Sequence, residues 1–202
     1  GFLGNSHYGI EDLAVMRAIP NITIVSPADC AEVVKVVKAS SKFKGPMYIR
    51  LTGGVGNPPV YSDEYDFEIG KSIKLKDGKD ITIFSCGSMV YECLEASNIL
   101  EEDGISAKVV NMHTLKPFDQ HALDDAIQNA KAIISVEEHS IIGGLGSLIA
   151  EYKSQYKNSP PQLLLGLPDY FGKTASYSYL LNNYGLVKEK IAKSIKDFLN
   201  TR

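Results

Sequence analysis

The chain has 202 residues, 44% of them hydrophobic and 22% charged, with a formal net charge of −3. That length supports one large domain or two small ones, and so mild an acidic balance gives no electrostatic basis for a nucleic-acid or anionic-membrane partner. No apolar run approaches the ~20 residues of a membrane helix, and three cysteines without a C-x-x-C pair argue against a disulfide framework or a zinc site.

Residues 9–19 place Ile10, Leu13, Ala14 and Ala18 on one helical stripe, with Glu11 and Asp12 at the positive end and Pro20 as the stop. "ITIV" (22–25) reads as a short buried strand. Ser26 is the predicted N-cap of the next helix, with Pro27 in its first position and Asp29 completing a capping-box pattern. That helix carries Val33, Val34, Val36 and Val37. In "GPMYIRLT" a strand is predicted with Met47, Ile49 and Leu51 facing one way and Tyr48 and Arg50 the other. Residues 53–68, rich in glycine, proline and acids, break all periodicity and form the predicted linker.

A second unit begins near residue 69. Its predicted elements are a strand and turn in "GKSIKLKDGKD", the strand "ITIFSC", and a helix over 88–103 with Met89, Cys93, Ala96 and Leu100 in a stripe and Gly104 at its end. The strand "ISAKVVNM", a helix over 119–130 capped by Asp119, the strand "AIISVEE", a helix over 146–156, the strand "QLLLG" and two closing helices complete it. The last helix carries Ile191, Ile195, Phe198 and Leu199 in register. Repeated alternation of apolar strands and helices predicts an α/β fold, a mostly parallel sheet flanked by helices.

Cys86 ends an apolar run and Cys93 lies on an apolar helix face, so the cysteines read as buried free thiols of a reducing cytoplasm. No basic-then-apolar leader opens the sequence, and a cytoplasmic location is expected. His121 reads as a surface or helix-packing residue, whereas His113 and His139 each follow a strand, where open α/β sheets gather ligands. His7 lies in a Gly-Asn-Ser loop ahead of a helix, where backbone can approach a ligand closely. Arg50 interrupts an apolar strand beside "TGG" and suits either a clamp on phosphate or carboxylate or an ion pair with Asp63 or Glu64. The glycines of "EEHSIIGGLGSLIAE" (137–151) match no G-x-G-x-x-G pattern and no lysine follows them, so they read as a packing turn rather than a phosphate loop. Adjacent Glu137 and Glu138 point to opposite faces of a strand and cannot act as a glycosidase pair.

"SHYGIEDLAVMRAIPNITIVSPAD" (6–29) resembles the stretch of transketolase-type, thiamine diphosphate-dependent enzymes in which a Thr-His or Ser-His loop precedes a helix ending in R-x-(I/L)-P-N. "GPMYIRL" resembles the strand that follows it there. "GKDITIFSCGSMVYECLEA", "VVNMHTLKPFD", "VEEHSIIGGLGSLIAE" and "GLPDYFGKTASYSYLLNNYGL" resemble, in order, stretches of the family's C-terminal domain. The resemblance covers essentially the whole chain. It implies the C-terminal half of a pyrimidine-binding domain at 1–52, a linker at 53–68 and a C-terminal domain at 69–202. It also implies thiamine diphosphate and magnesium as cofactors, held mainly by segments not in this sequence. The glutamate and the aromatic residue that meet the pyrimidine ring are expected upstream of Gly1, and the "GDG" metal-binding segment in a further domain.

The implied activity is two-carbon ketol transfer between sugar phosphates, by the C-terminal section of an enzyme divided between chains. The partners implied are a sugar phosphate, an N-terminal section or partner chain carrying the diphosphate-binding domain, and further copies of the chain through the C-terminal domain. On its own the fragment is expected to be inactive. By the same resemblance His7 reaches the donor substrate near the cofactor's reactive carbon, as hydrogen-bonding and proton-handling group, and Arg50 binds the sugar phosphate. No residue of this chain is implied to bind the cofactor or to ligate metal. Leu3 stands where many full-length relatives carry an acid that touches the acceptor sugar's hydroxyl, a departure from the pentose-phosphate pattern that leaves room for an unusual sugar. 1-Deoxyxylulose-5-phosphate synthase, with pyruvate as donor, shares the layout and is the alternative. The beta subunit of 2-oxoacid dehydrogenases fits less well. An assembly module supplying only a dimer surface, and a nucleotide binder using the 143–146 loop, are the alternatives outside catalysis.

Overall fold

The computed structural model describes residues 7–52, 58–62 and 64–201. Some of the expectations rest on Leu3, on Asp63, on the glycines of the "TGG" turn, and on Gly1, ahead of which the cofactor-contacting residues are expected; all of these lie outside the described residues.

Helix α1 (Asp12–Ala18) starts three residues later than its apolar pattern, because the carbonyls of Gly9 and Ile10 are taken by Arg50 and Ser140 of other parts of the fold. Pro20 ends it by forcing Ile19 into an extended conformation (ψ 126°). Strand β1 (Thr23–Val25) is wholly buried. Helix α2 (Cys30–Ser40) is capped by Asp29 and not by Ser26. Asp29 Oδ1 accepts the Glu32 amide at 2.8 Å, while Glu32 Oε2 accepts the Ala28 amide at 2.6 Å, so the capping box closes one turn later than the sequence pattern predicts. Ser26 instead donates its amide to His113 O at 2.8 Å. Strand β2 (Met47–Ile49) pairs in parallel with β1.

The segment after β2 is strapped down where it is described. Val60 donates its amide to Asp29 Oδ2 at 2.8 Å, Tyr61 and Tyr65 stack at 3.8 Å, and the Phe67 ring lies 4.4 Å from that of His113. Glu64 pairs with Lys35.

Strands β3 (Ile73–Lys76), β4 (Ile81–Ser85), β5 (Ala107–Asn111), β7 (Ala132–Ser140) and β8 (Gln162–Leu167) form a five-stranded sheet ordered β3-β5-β4-β7-β8, parallel except for β3. Helices α3 (Met89–Glu102) and α7 (Lys188–Asn200) cover one face through Met89, Cys93, Ala96, Leu100, Ile191 and Ile195. Helices α4 (Gln120–Asn129) and α5 (Leu145–Lys153) cover the other through Leu123, Ile127, Leu145 and Leu148, and the short α6 (Tyr177–Asn183) precedes α7.

One strand was not expected. Strand β6 (Thr114–Lys116) leaves the second unit and pairs antiparallel with β1, giving a three-stranded sheet β2-β1-β6. The cores join at the same place: Leu13 and Ile24 of the first unit share one apolar cluster with Phe84, Met112, Leu115 and Leu145 of the second. Each such fully buried side chain contributes roughly 1.5–3 kcal/mol, so docking of the two units is part of folding.

Candidate functional site

The loop bearing His7 and the turn bearing Arg50 come together because β1 and β2 are parallel neighbours and α1 lies against them. His7 is exposed, five residues ahead of α1. Arg50 directly follows β2, at the carboxyl edge of the sheet, and its side chain is only 10% exposed. Its Nε donates to Asp12 Oδ2 at 2.9 Å and Oδ1 at 3.2 Å. Its Nη2 donates to Glu138 O at 2.9 Å and to Gly9 O, two residues past His7, at 3.4 Å. Tyr48 donates its hydroxyl to Asp12 Oδ2 at 2.8 Å, so Tyr48 and Arg50 share a face as the strand alternation requires. The Arg50 ion pair is with Asp12, while Glu64, one of the two linker acids the sequence suggested, pairs with Lys35; the guanidinium turns inward to tie the His7 loop to the second unit.

The other histidines are internal or peripheral. His139 is fully buried, with Nδ1 2.7 Å from Ser140 O and Nε2 accepting the Ala14 amide at 3.4 Å. Burial lowers its pKa and holds it neutral. His113 is fully buried against Phe67, its pKa pushed down to about 4 by burial, with Nδ1 2.9 Å from Thr114 Oγ1. His121 is exposed on α4.

The glycine-rich turn has a physical account. Glu137 accepts the amides of Leu145 at 2.7 Å and Gly146 at 2.8 Å, so the chain's own carboxylate takes the α5 N-terminal donors that a phosphate would use. Burial nevertheless pushes its pKa up to about 7 against those bonds. A Cβ on Gly144 would overlap Glu137 Oε2, which is why glycine is required there. Glu138, on the opposite face as expected, accepts from Ser88 Oγ and, at 2.7 Å, from the Tyr177 hydroxyl. Sequence reasoning missed Asp12, Tyr48, Glu137 and Tyr177 as members of this neighbourhood. Only the acid in the first turn of α1 and the alternation of β2 hinted at the first two.

The expected cofactors do not fit the residues described. Among them no three His, Cys, Asp or Glu side chains converge to hold a metal ion, and Glu137 fills the α5 N-terminus. Cys86 and Cys93 are buried, their thiols pushed up to about 12 by burial, but Cys30 is exposed at the start of α2, contrary to its reading as a buried thiol. No helix among the described residues is long and apolar enough to cross a membrane.

Comparison with known proteins adds identity to this geometry. The family model "Transketolase, C-terminal domain" matches residues 70–191, and "Transketolase, pyrimidine binding domain" matches residues 1–55. An apulose-4-phosphate transketolase subunit of Phocaeicola vulgatus is 38% identical over 200 residues, covering 98% of this chain and 63% of its own length. A 1-deoxy-D-xylulose-5-phosphate synthase of Dictyoglomus turgidum is 39% identical over 193 residues, covering 95% of this chain and 31% of its own length. The solved structure described as "Split gene transketolase, inactive beta4 tetramer" superposes with a TM-score of 0.86 at 40% identity, over 95% of this chain and 62% of that one. The chain thus spans less than two thirds of the length of these relatives. Its sheets, its order of motifs and these matches agree that the chain belongs to the transketolase family.

Proposed function

We propose that this chain acts as the C-terminal section of a transketolase, transferring a two-carbon ketol unit between sugar phosphates once joined by a companion chain or segment that carries the diphosphate-binding domain. Residues 1–52 then serve as the C-terminal half of a pyrimidine-binding domain, 53–68 as its connection and 69–202 as the C-terminal domain. The observation that carries this reading is the likeness, over nearly the whole chain, to a split-gene transketolase and to a relative named as a transketolase subunit. Thiamine diphosphate and magnesium supply the carbanion chemistry and are held by the companion, a reading supported by Glu137, whose carboxylate already occupies the α5 N-terminal amides.

Within this reading His7 reaches the donor and manages its proton, consistent with an exposed imidazole just ahead of backbone that Arg50 and Ser140 hold at Gly9 and Ile10. The phosphate role proposed for Arg50 competes with a purely structural one, because Asp12, Gly9 and Glu138 already accept from its guanidinium. Arg50→Lys separates the two: a raised KM for sugar phosphate at unchanged stability supports phosphate binding, and lost stability at unchanged KM supports the strut.

The test of the whole reading mixes the purified chain with thiamine diphosphate, Mg²⁺ and a ketose phosphate, with and without the companion. Transfer only with the companion is expected, and His7→Ala should then lower kcat by about 10²–10⁴-fold. Transfer by the chain alone would overturn the proposed division of labour. The synthase at 39% identity supports a second reading, in which pyruvate is the donor. Turnover of pyruvate with carbon dioxide release, and none of ketose phosphate, would select it. A complex that turns over neither donor would leave the assembly role, which the "inactive beta4 tetramer" of the split-gene relative supports.

A further inference from the structure

Helix α1 is seven residues long, too short to persist alone, and Leu13 is its only fully buried member. Groups of the second unit hold it along its whole length. Ahead of the helix, Ser140 donates its amide to Ile10 O at 2.7 Å. In its first turns the Ala14 amide points at His139 Nε2, 3.4 Å away. Beneath Ala14 runs Gly143, with φ +80°, so close that a Cβ there would sit 2.5 Å from Ala14 Cβ. At the far end Arg17 donates to Gly143 O at 2.5 Å and pairs with Glu151 at 2.6 Å, and Lys116 Nζ takes the carbonyls of Arg17 at 2.8 Å and Ile19 at 2.7 Å.

The surface under α1 is itself braced. The Gly143 amide donates to Ser147 Oγ at 2.8 Å, and that hydroxyl donates to Ile141 O at 3.1 Å. Glu137 pins the following helix, and His139, bonded through Nδ1 to Ser140 O, can present Nε2 only as an acceptor. A rigid turn with no side chain at its crest meets a short helix whose leading loop carries His7.

We propose that the Gly143 turn and His139 form a seat that positions the His7 loop, so that the C-terminal domain acts on catalysis without touching substrate. Gly143 and His139 are then positioning residues. The proposal rests on the reading of His7 as the donor-reaching group.

Two measurements test it. The first is amide hydrogen exchange on the chain itself. Gly143→Ala, which must displace Ala14, should raise exchange at Ala14 and Ser140 about tenfold or more while leaving Ile83 in β4 unchanged. His139→Phe keeps an aromatic ring and removes the acceptor, and should raise exchange at Ala14, with His139→Gln restoring protection through its amide oxygen. Unchanged exchange at Ala14 in both variants overturns the seat, and so does an equal rise throughout the core.

The second is a double-mutant cycle in the enzyme assembled with its companion. If Gly143 acts through His7, Gly143→Ala should lower kcat up to about 100-fold in the parent, the cost of an ångström-scale misplacement, and cost nothing further in His7→Ala. Equal losses in both backgrounds overturn the proposal, because they mean a general structural effect. Full activity of His7→Ala would instead overturn the reading of His7 itself, and the exchange data would then decide the seat alone.

Discussion

Replacing Asp12 tests the inward-facing arginine most directly. Asp12 and Arg50 have side chains 18% and 10% exposed, and the Tyr48 hydroxyl bonds to the same carboxylate. Asp12→Ala leaves a guanidinium with its counter-charge gone and a half-buried phenol without its acceptor. Breaking a buried ion pair from one side costs roughly 3–5 kcal/mol. Two carbonyls still accept from Arg50 Nη2, which favours the lower end, about 3 kcal/mol. In a chain of this size each kcal/mol shifts Tm by roughly 2–4 °C, so a fall of about 6–12 °C is expected. Asp12→Asn keeps an acceptor without the charge and should lose about half as much. Urea unfolding of the three chains measures this as a lowered midpoint at constant slope. The reasoning would be refuted if Asp12→Ala lay within about 0.5 kcal/mol of the parent.

Two further substitutions probe the buried groups. Burial pushes the His113 pKa down to about 4 in the fold, against 6.5 in the unfolded chain, so between these values His113 makes stability fall as pH falls, while Glu137, raised to about 7, contributes in the opposite sense from about 4.5 upward. The His113 contribution over this window is on the order of 3 kcal/mol, and His113→Phe, whose ring can remain against Phe67, should make the slope of stability against pH between about 4 and 6.5 less positive than the parent's; an unchanged slope would show that His113 contributes none of it. Gly144→Ala forces a methyl group onto Glu137 and His139 at once and should cost more than about 3 kcal/mol, seen as lost soluble yield or a collapsed urea midpoint. A Gly144→Ala chain of parental stability would refute the packing described for the turn.

Local chemistry made much of the fold legible. The stripe Met89, Cys93, Ala96 and Leu100 is buried in full, and Ile191 and Ile195 pack beside it, because a period of 3.6 leaves those residues one face. The same period explains where the valine-rich α2 misled: Val36 is buried while Val34 and Val37 are more than half exposed, since four near-consecutive valines cannot share a face. The cap of α2 shifted from Ser26 to Asp29 because only Asp29 has a glutamate three residues on to close the box. The pattern could not reveal β6, whose three residues are too few for alternation and whose partner β1 lies some ninety residues earlier.

For the site, the sequence by itself determined which residue types stand at the strand ends, and the order of motifs that places the chain in its family. It marked His7 and Arg50, and it excluded the glycine turn as a phosphate loop for want of a lysine. Only the tertiary structure decided what those residues face. Asp12 meets Arg50 across 38 positions, His139 meets Ala14 across 125, and Glu137 takes the helix-terminal amides that the turn leaves open. The physical reason is the range of the forces. Helical period, capping and turn chemistry act over a few neighbouring residues and can be read along the chain. The partner of a buried charge is whichever group the packed sheets bring within about 3 Å, and a carboxylate or guanidinium out of water must find one.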